Sequence, residues 1–226
     1  MKLDDKLETI LNSKEPLCEE LVRHVVQTKL GPWVNHPLVH EMIFCPALLN
    51  AQLKHKREAV AEYIAEGKFS SALFMHEKPY RLTTLFRWRF GLEQTVPDEQ
   101  FLECLREAWI ASENIWQNLL LVPILFKEAR RLGGMPLEDD EKDALRGMPN
   151  LVTVYRGCTR KNRRGWSWTT DLKTARFFAK RFTTKGGMVI KALAPKIEIE
   201  AYLHGRGEAE VVINPKAIDW KKATTI

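Results

Sequence analysis

Hydrophobic and polar positions along the chain change their spacing near residue 151. Before that point, leucine, isoleucine and valine recur every three to four residues, which is the spacing of the buried face of a helix. Beyond it, apolar and polar residues alternate in short runs, as they do along half-buried β-strands. The pattern therefore predicts an α+β fold, with a helical N-terminal region followed by a core of mixed or antiparallel strands with flanking helices.

Glycine and proline mark the ends of the predicted helices. The break from Gly91 to Pro97 is the candidate boundary between a helical N-terminal region, residues 1–95, and a second domain, residues 96–226. Pro97-Asp98-Glu99 then begins a helix, because the helix dipole and the unpaired amides of a first turn favour acidic residues. The predicted helices cover residues 3–11, 17–30, 47–66, 68–75, 79–90, 97–110, 112–131 and 138–145.

Strand-like runs dominate residues 151–213. Alternation in the first run places Val154 and Arg156 on one face, and Thr170 or Asp171 can cap a helix that follows the second run. The predicted order is strand 151–157, strand 166–169, a helix from Leu172 to Phe182, and strands 188–193, 197–202 and 208–213.

Length and composition are those of a globular protein. The 226 residues can bury one sizeable core or two small ones, and 45% of them are hydrophobic and 28% charged. The densest apolar run, residues 119–126, is too short to span a bilayer and is interrupted by Pro123. Asp4 and Asp5 stand where a secretion signal would be apolar. We therefore expect neither a membrane span nor secretion by that route.

Cysteine and histidine spacing predicts neither disulfides nor a metal site. The four cysteines are widely separated and include no CxxC pair, which favours free thiols in a reducing compartment and hence a cytoplasmic protein. His36, His40 and Cys45 come nearest to a metal-binding set. Pro37 interrupts the helix that would align the two histidines, however, and no fourth ligand follows at a usual spacing.

Basic residues are concentrated between Arg156 and Lys191. This stretch contains eleven lysines and arginines but a single acid, Asp171. Such a field attracts ligands that carry phosphate, either a dinucleotide or a nucleic acid. It is equally consistent with a solvated basic face that acidic segments such as residues 138–141 balance.

Arginines and aromatics also mix in residues 79–90, a composition that can stack on nucleic-acid bases. The helical spacing of Leu82, Leu85, Phe86 and Phe90 favours instead a buried stripe flanked by arginine stems.

Three short motifs in the strand region carry chemistry. Glu208 and Glu210 are two apart in a predicted strand, so their side chains would share one face about 7 Å apart. A carboxylate pair suits glycosidic-bond cleavage, in which one group stabilises an oxocarbenium-like centre and the other manages a proton. Arg156, beside the small Gly157, can grip a phosphate through its rigid guanidinium. Ser167 supplies a hydroxyl that can orient a carboxylate or a ribose.

In their order and spacing, these motifs resemble those of the ADP-ribosyltransferases of the Arg–Ser–Glu class, which includes bacterial toxins, phage transferases and vertebrate arginine-specific ecto-enzymes. The resemblance is close over residues 151–213, extends to residues 97–150 as the helices before the catalytic sheet, and does not reach the first 95 residues. The matching segments are Tyr155-Arg156-Gly157, Ser167-Trp168-Thr169, Phe177-Phe178-Ala179 and Glu208-Ala209-Glu210.

The resemblance implies an ADP-ribosyltransferase-like core and a role for each matching residue. Arg156 corresponds to the arginine that holds NAD through its phosphate and ribose, and the Gly157 backbone lies where the class anchors the nicotinamide carboxamide. Ser167 matches the first serine of the Ser-Thr-Ser pattern, which positions the catalytic glutamate, and Thr169 takes the third position as an NAD-binding residue. Glu210 matches that glutamate, which stabilises the oxocarbenium ion as nicotinamide leaves.

The resemblance also covers the residues with which the class recognises its acceptor. Glu208 corresponds to the upstream glutamate of enzymes that modify arginine, and the turn at residues 203–207 falls where the class carries its acceptor-recognising loop. The aromatic ring that stacks on nicotinamide is not fixed by spacing, so Trp166, Phe177 and Phe178 are all candidates. Phe178 lies on the apolar stripe of its helix, whereas Phe177 lies off it.

The resemblance therefore implies a mono-ADP-ribosyltransferase that uses NAD as its substrate and modifies an arginine of a protein acceptor. Two alternatives stay open. The basic stretch 156–191 also fits transfer of ADP-ribose to a nucleic acid. The second alternative is a non-catalytic protein whose helical first part binds a partner, with Arg156, Ser167 and the two glutamates as surface or turn residues.

Overall fold

The computed structural model describes residues 8–91, 96–113, 115–181, 186–205 and 207–226. The chain forms two compact units, Met1–Asn114 and Ile115–Ile226. Each unit combines helices with an antiparallel sheet, which confirms the α+β fold class. No helix in the described ranges is both long and apolar enough to cross a membrane.

A three-stranded antiparallel sheet lies in the first unit, where the sequence predicts a helix over residues 17–30 and no regular element over residues 31–46. The helix predicted for residues 17–30 is wrong beyond the short α1 (Glu19–Val22), because β-branched Val25 and Val26 favour extended backbone. Gly31, with a φ of +126°, then allows the tight turn between the first two strands. The strands are β1 (Val25–Thr28), β2 (Gly31–His36) and β3 (Val39–Met42).

The other predicted helices of the first unit are confirmed. The helix predicted for residues 3–11 is present at residues 8–11, and residues 1–7 lie outside the described ranges. The longer helices are α2 (Pro46–Ala65), α3 (Phe69–Phe74), α4 (Arg81–Phe90) and α5 (Asp98–Ala111).

Helix α5 belongs to the first unit, although the predicted boundary places it in the second. It packs against α3 and α4, and its Phe101, Leu105 and Trp109 are buried. The division of the chain therefore follows residue 114 rather than the break from Gly91 to Pro97, of which residues 92–95 lie outside the described part. The apolar face of a helix does not indicate, from sequence alone, which sheet or helix it packs against.

Helix α4 contains the stretch that mixes arginines with aromatics. Leu82 and Leu85 are fully buried, as the helical spacing predicts, whereas Phe90 is 43% exposed. Arg89 is engaged within the unit, where it donates to the Val96 carbonyl at 2.8 Å and lies over the Phe101 ring. These contacts favour a structural role for the helix.

The second unit contains a six-stranded antiparallel sheet among its described residues. Its order is β7-β8-β5-β4-β6-β9, so that β8, β5 and β4 are neighbours at the centre. All but β9 correspond to predicted strands, although β8 begins two residues later than predicted. The strands are β4 (Leu151–Cys158), β5 (Ser167–Thr169), β6 (Met188–Pro195), β7 (Ile199–Leu203), β8 (Glu210–Ile213) and β9 (Thr224–Thr225).

Three α-helices accompany this sheet in the described residues: α6 (Val122–Arg131), α7 (Asp139–Gly147) and α8 (Leu172–Arg181). Asp171, not Thr170, caps α8, because its carboxylate accepts from the amides of Lys173 and Thr174 at 3.0 and 2.9 Å. Phe182, the predicted end of this helix, lies outside the described residues.

The two faces of the sheet are buried in different ways. On one face, apolar side chains from β4, β5, β6 and β8 form the main core cluster around Trp168. On the other face, α8 packs closely on β4 at Gly157. A Cβ atom added to Gly157 would lie 2.0 Å from the Ala175 carbonyl oxygen, so this contact needs a residue without a side chain.

Candidate active site

The three predicted motifs lie on the three central strands of the second sheet. Arg156 is on β4, Ser167 begins β5 and Glu210 begins β8. Thr169 pairs with Tyr155 on one side and with Glu210 on the other. Segments that are more than forty residues apart in the sequence, β5 and β8, are thus brought side by side.

Arg156 is held by backbone carbonyls. Its Nη1 donates to the Ser167 carbonyl and its Nη2 donates to the Asn162 carbonyl at 2.9 Å, while the buried Nε has no hydrogen-bond partner among the described residues. Burial lowers the pKa of Arg156 from its ordinary value, and the nearby Cys158 and Glu210 oppose that shift. The register pairs Tyr155 with Thr169 and Thr169 with Glu210, so the Arg156 side chain leaves the sheet on the face opposite to that of Glu210.

Gly165 makes room for this guanidinium, a role that no motif in the sequence marks. A Cβ atom at residue 165 would lie 2.2 Å from Arg156 Nη2. Trp168 fixes the same segment, because its Nε1 donates to the Gly165 carbonyl at 3.0 Å. The position of Arg156 thus depends on a glycine nine residues away, which no local pattern reveals.

Gly165→Ala should move Arg156 with little loss of stability, because the atom it meets is the end of a flexible side chain. If Arg156 holds the phosphates of NAD, we expect the KM for NAD to rise about tenfold, the cost of one charge-assisted hydrogen bond. Nicotinamide release at varied NAD concentration measures this. Gly147→Ala, which meets nothing within 4 Å, is the control. An unchanged KM with a displaced Arg156 would contradict the assigned role.

The spacing of Glu208 and Glu210 predicts that their side chains share one face of a strand. That prediction is wrong. β8 begins at Glu210, and Ala209 before it has a φ of +45°. Thr169 Oγ1 donates to the Glu208 carbonyl at 2.6 Å, and the Thr170 amide donates to the Ala209 carbonyl at 3.1 Å. These bonds hold the segment in a turn, so the alternation of an extended strand does not apply to Glu208.

The left-handed backbone at Ala209 is costly for a residue with a side chain, by about 1–2 kcal/mol. Such conformations persist where the surroundings fix them, and they cluster at functional sites. Here the strained residue separates the two glutamates. Glu210 is 7% exposed and Glu208 is half-buried, so the two carboxylates occupy different environments.

Thr169 connects the glutamate segment to α8. It is 5% exposed, and its hydroxyl accepts from the Asp171 amide at 3.0 Å while it donates to the Glu208 carbonyl. The hydroxyl of Thr169, which the resemblance predicts to bind NAD, is therefore hydrogen-bonded to backbone groups of the protein itself. Ser167, at the other end of β5, is half-buried and pairs with Val212.

The three candidate aromatics differ in accessibility. Trp166 is 3% exposed and stacks on Phe126, with ring centroids 5.1 Å apart, so it belongs to the core of the unit. Phe178 is half-buried and packs against Gly157. Phe177 is 60% exposed, and of the three it is the ring that a ligand can reach most easily.

The basic stretch is exposed around the C-terminal end of β4. Arg160, Lys161 and Arg163 are exposed in the loop that follows this strand, and Arg164 lies over the Trp220 ring, 5.3 Å from its centroid. The exposed Lys180 follows directly on Ala179, whose amide lies against Gly157. The C-terminal end of α8 thus lies beside the end of β4, from which the basic loop begins.

No group of three or more histidine, cysteine, aspartate or glutamate residues in the described ranges is arranged to hold a metal ion.

Comparisons with protein-family models, with curated proteins and with solved structures found no match to this chain.

Proposed function

We propose that this protein is a mono-ADP-ribosyltransferase that cleaves NAD and transfers ADP-ribose to an arginine side chain of a protein, with an ADP-ribosyltransferase-like core in the second unit. The observation that carries the proposal is the adjacency of β4, β5 and β8, which collects the arginine, serine and glutamate motifs at the centre of one sheet. Sequence order alone does not require these three segments to meet.

In the proposed reaction, the bond between nicotinamide and the ribose C1′ breaks and its electron pair leaves with nicotinamide. Glu210 stabilises the positive charge that develops on the sugar. Its burial supports this role, because a fixed charge acts more strongly where water is excluded. Arg156 exchanges a backbone carbonyl for a phosphate oxygen of NAD, and Phe177 offers its exposed ring to nicotinamide.

The test is incubation with NAD labelled in its ADP-ribose part and a cell lysate. We expect label to appear in macromolecules, to resist nuclease and to be released as small fragments by protease. The same incubation with the Glu210→Gln variant should give no label. Equal labelling by wild type and variant would contradict the proposal.

A second candidate function is transfer of ADP-ribose to a nucleic acid. The exposed arginines and lysines after β4, with Arg164 over Trp220, favour it, because cationic loops beside an aromatic ring suit a phosphate backbone. Label that survives protease but not nuclease would select this function.

Glu208→Gln should separate the two steps of the proposed reaction. Glu208 lies outside β8, so nicotinamide release without acceptor should stay within about twofold of wild type. Transfer should fall about 100-fold or more, because the acceptor nitrogen loses the base that takes its proton. Nicotinamide release and label transfer are measured on the same samples. Loss of both activities in parallel would mean that Glu208 takes part in bond cleavage.

We also propose a cytoplasmic setting, supported by Cys18, Cys45, Cys104 and Cys158, which are free thiols. A non-catalytic partner-binding protein is the competing proposal. NAD that neither raises the melting temperature nor is consumed would favour that alternative.

A further inference from the structure

The first turn of α7 is attached to the turn that leads from β7 to β8. Glu141 Oε1 accepts from the His204 amide at 3.4 Å, a long contact, and His204 Nε2 lies 3.2 Å from Asp140 Oδ2. The backbone and the side chain of one residue are thus both held by neighbouring acids of one helix. Glu141 Oε2 also accepts from the Glu138 amide at 2.9 Å, which closes the cap of α7.

Burial distinguishes Glu141 from the other acids at this helix end. Glu138, Asp139 and Asp140 are exposed, whereas Glu141 is 1% exposed. A helix cap alone does not require a buried carboxylate, since burial of a charge is costly unless its oxygens are hydrogen-bonded. The buried Glu141 carboxylate also contacts His204, a residue outside α7.

The turn at residues 203–207 contains two glycines, Gly205 and Gly207, and Gly207 has a φ of +67°. Because glycine leaves the backbone many alternative conformations, this turn needs contacts from outside to hold one of them. The Gly207 amide donates to the His204 carbonyl at 2.7 Å. A shift of His204 would therefore also move Gly207. Glu208 follows immediately, and its carbonyl is held by Thr169.

We propose that α7 braces the acceptor-selecting turn, and that Glu141, assisted by Asp140, is a positioning residue that sets where Glu208 stands. This inference rests on the proposed function. In transfer, the ribose C1′ forms its new bond to the acceptor nitrogen, whose proton goes to Glu208. In hydrolysis, a water oxygen forms that bond and the proton goes to solvent. A loosened turn therefore impairs transfer and spares hydrolysis.

The test compares Glu141→Gln with wild type in label transfer, in nicotinamide release and in hydrogen exchange of the amides of residues 203–209. We expect transfer to fall about tenfold, the effect of losing a charged hydrogen-bond acceptor, while release stays within about twofold. Exchange should accelerate in this segment alone. Asp139→Asn is the control, because it removes an exposed acid of the same turn that pairs with Lys142.

His204→Asn provides a second variant that removes the contact with Asp140 at a partly exposed side chain, so that the test does not depend on the folding of Glu141→Gln. Unchanged exchange in residues 203–209, or faster exchange throughout the unit with transfer and release reduced alike, would overturn the inference. If wild type releases no nicotinamide, the proposed function fails. The local exchange rates then decide by themselves whether α7 fixes the turn.

Discussion

Glu210→Gln should release nicotinamide from NAD about 10²- to 10³-fold more slowly than wild type, the usual cost of removing one preorganised group that stabilises transition-state charge. Glutamine has nearly the same shape but carries no negative charge. Glu210 is 7% exposed, so water cannot replace the missing charge at the sugar. The protein should stay folded, because the substitution adds no volume.

Initial rates of nicotinamide release, measured without acceptor, provide this comparison. Glu198→Gln is the matched control, since Glu198 is an exposed glutamate just before β7 and should be replaceable without loss of rate. Melting temperatures of both variants exclude unfolding as the cause of a lower rate. A Glu210→Gln rate equal to that of wild type would remove Glu210 from the mechanism.

The second large effect is on stability. Gly157→Ala should lower the free energy of unfolding by about 3 kcal/mol, the upper part of the usual range for an overpacked site. The added Cβ would lie 2.0 Å from the Ala175 carbonyl oxygen and 2.5 Å from the Ala179 amide nitrogen. Both atoms belong to the backbone of α8, which cannot give way as a side chain can. The helix must therefore move off β4.

Urea unfolding measures this loss, with Gly147→Ala as the control. Gly147 lies at the end of α7 and a Cβ there meets nothing within 4 Å, so its replacement should change stability by about 0.5 kcal/mol at most. An unfolding midpoint of Gly157→Ala equal to that of wild type would show that α8 does not pack on β4 as described.

One role of Gly157 could be predicted from the sequence and another could not. The resemblance implies that its backbone binds NAD, whereas its close contact with α8 is a structural role that no periodicity indicates. The strands and helices themselves were predictable, because burial on one face imposes a repeat on the residues of each element. The exceptions among the strands are β1, where a helix-like spacing conceals β-branched residues, and β2, β3 and β9, for which no strand is predicted. The helix predicted for residues 112–131 is an α-helix only over α6, and α5 belongs to the other unit than predicted.

The strands that carry the candidate residues were predictable, but the geometry of those residues was not. The resemblance groups Arg156, Ser167 and Glu210 in one proposed site, and the sheet places their strands side by side. The left-handed backbone at Ala209 and the support of His204 by Glu141 depend on contacts between distant segments. Sequence spacing does not contain such contacts, which is why it wrongly predicts that Glu208 shares a strand face with Glu210.

The central claim, that the second unit carries an NAD site, is tested most directly by nicotinamide release from NAD by the purified wild-type protein without an acceptor. We predict slow release, at a rate proportional to protein concentration, together with an NAD-dependent rise in melting temperature in the same samples. Nicotinamide release at the rate of buffer alone, at every protein concentration, would contradict the account.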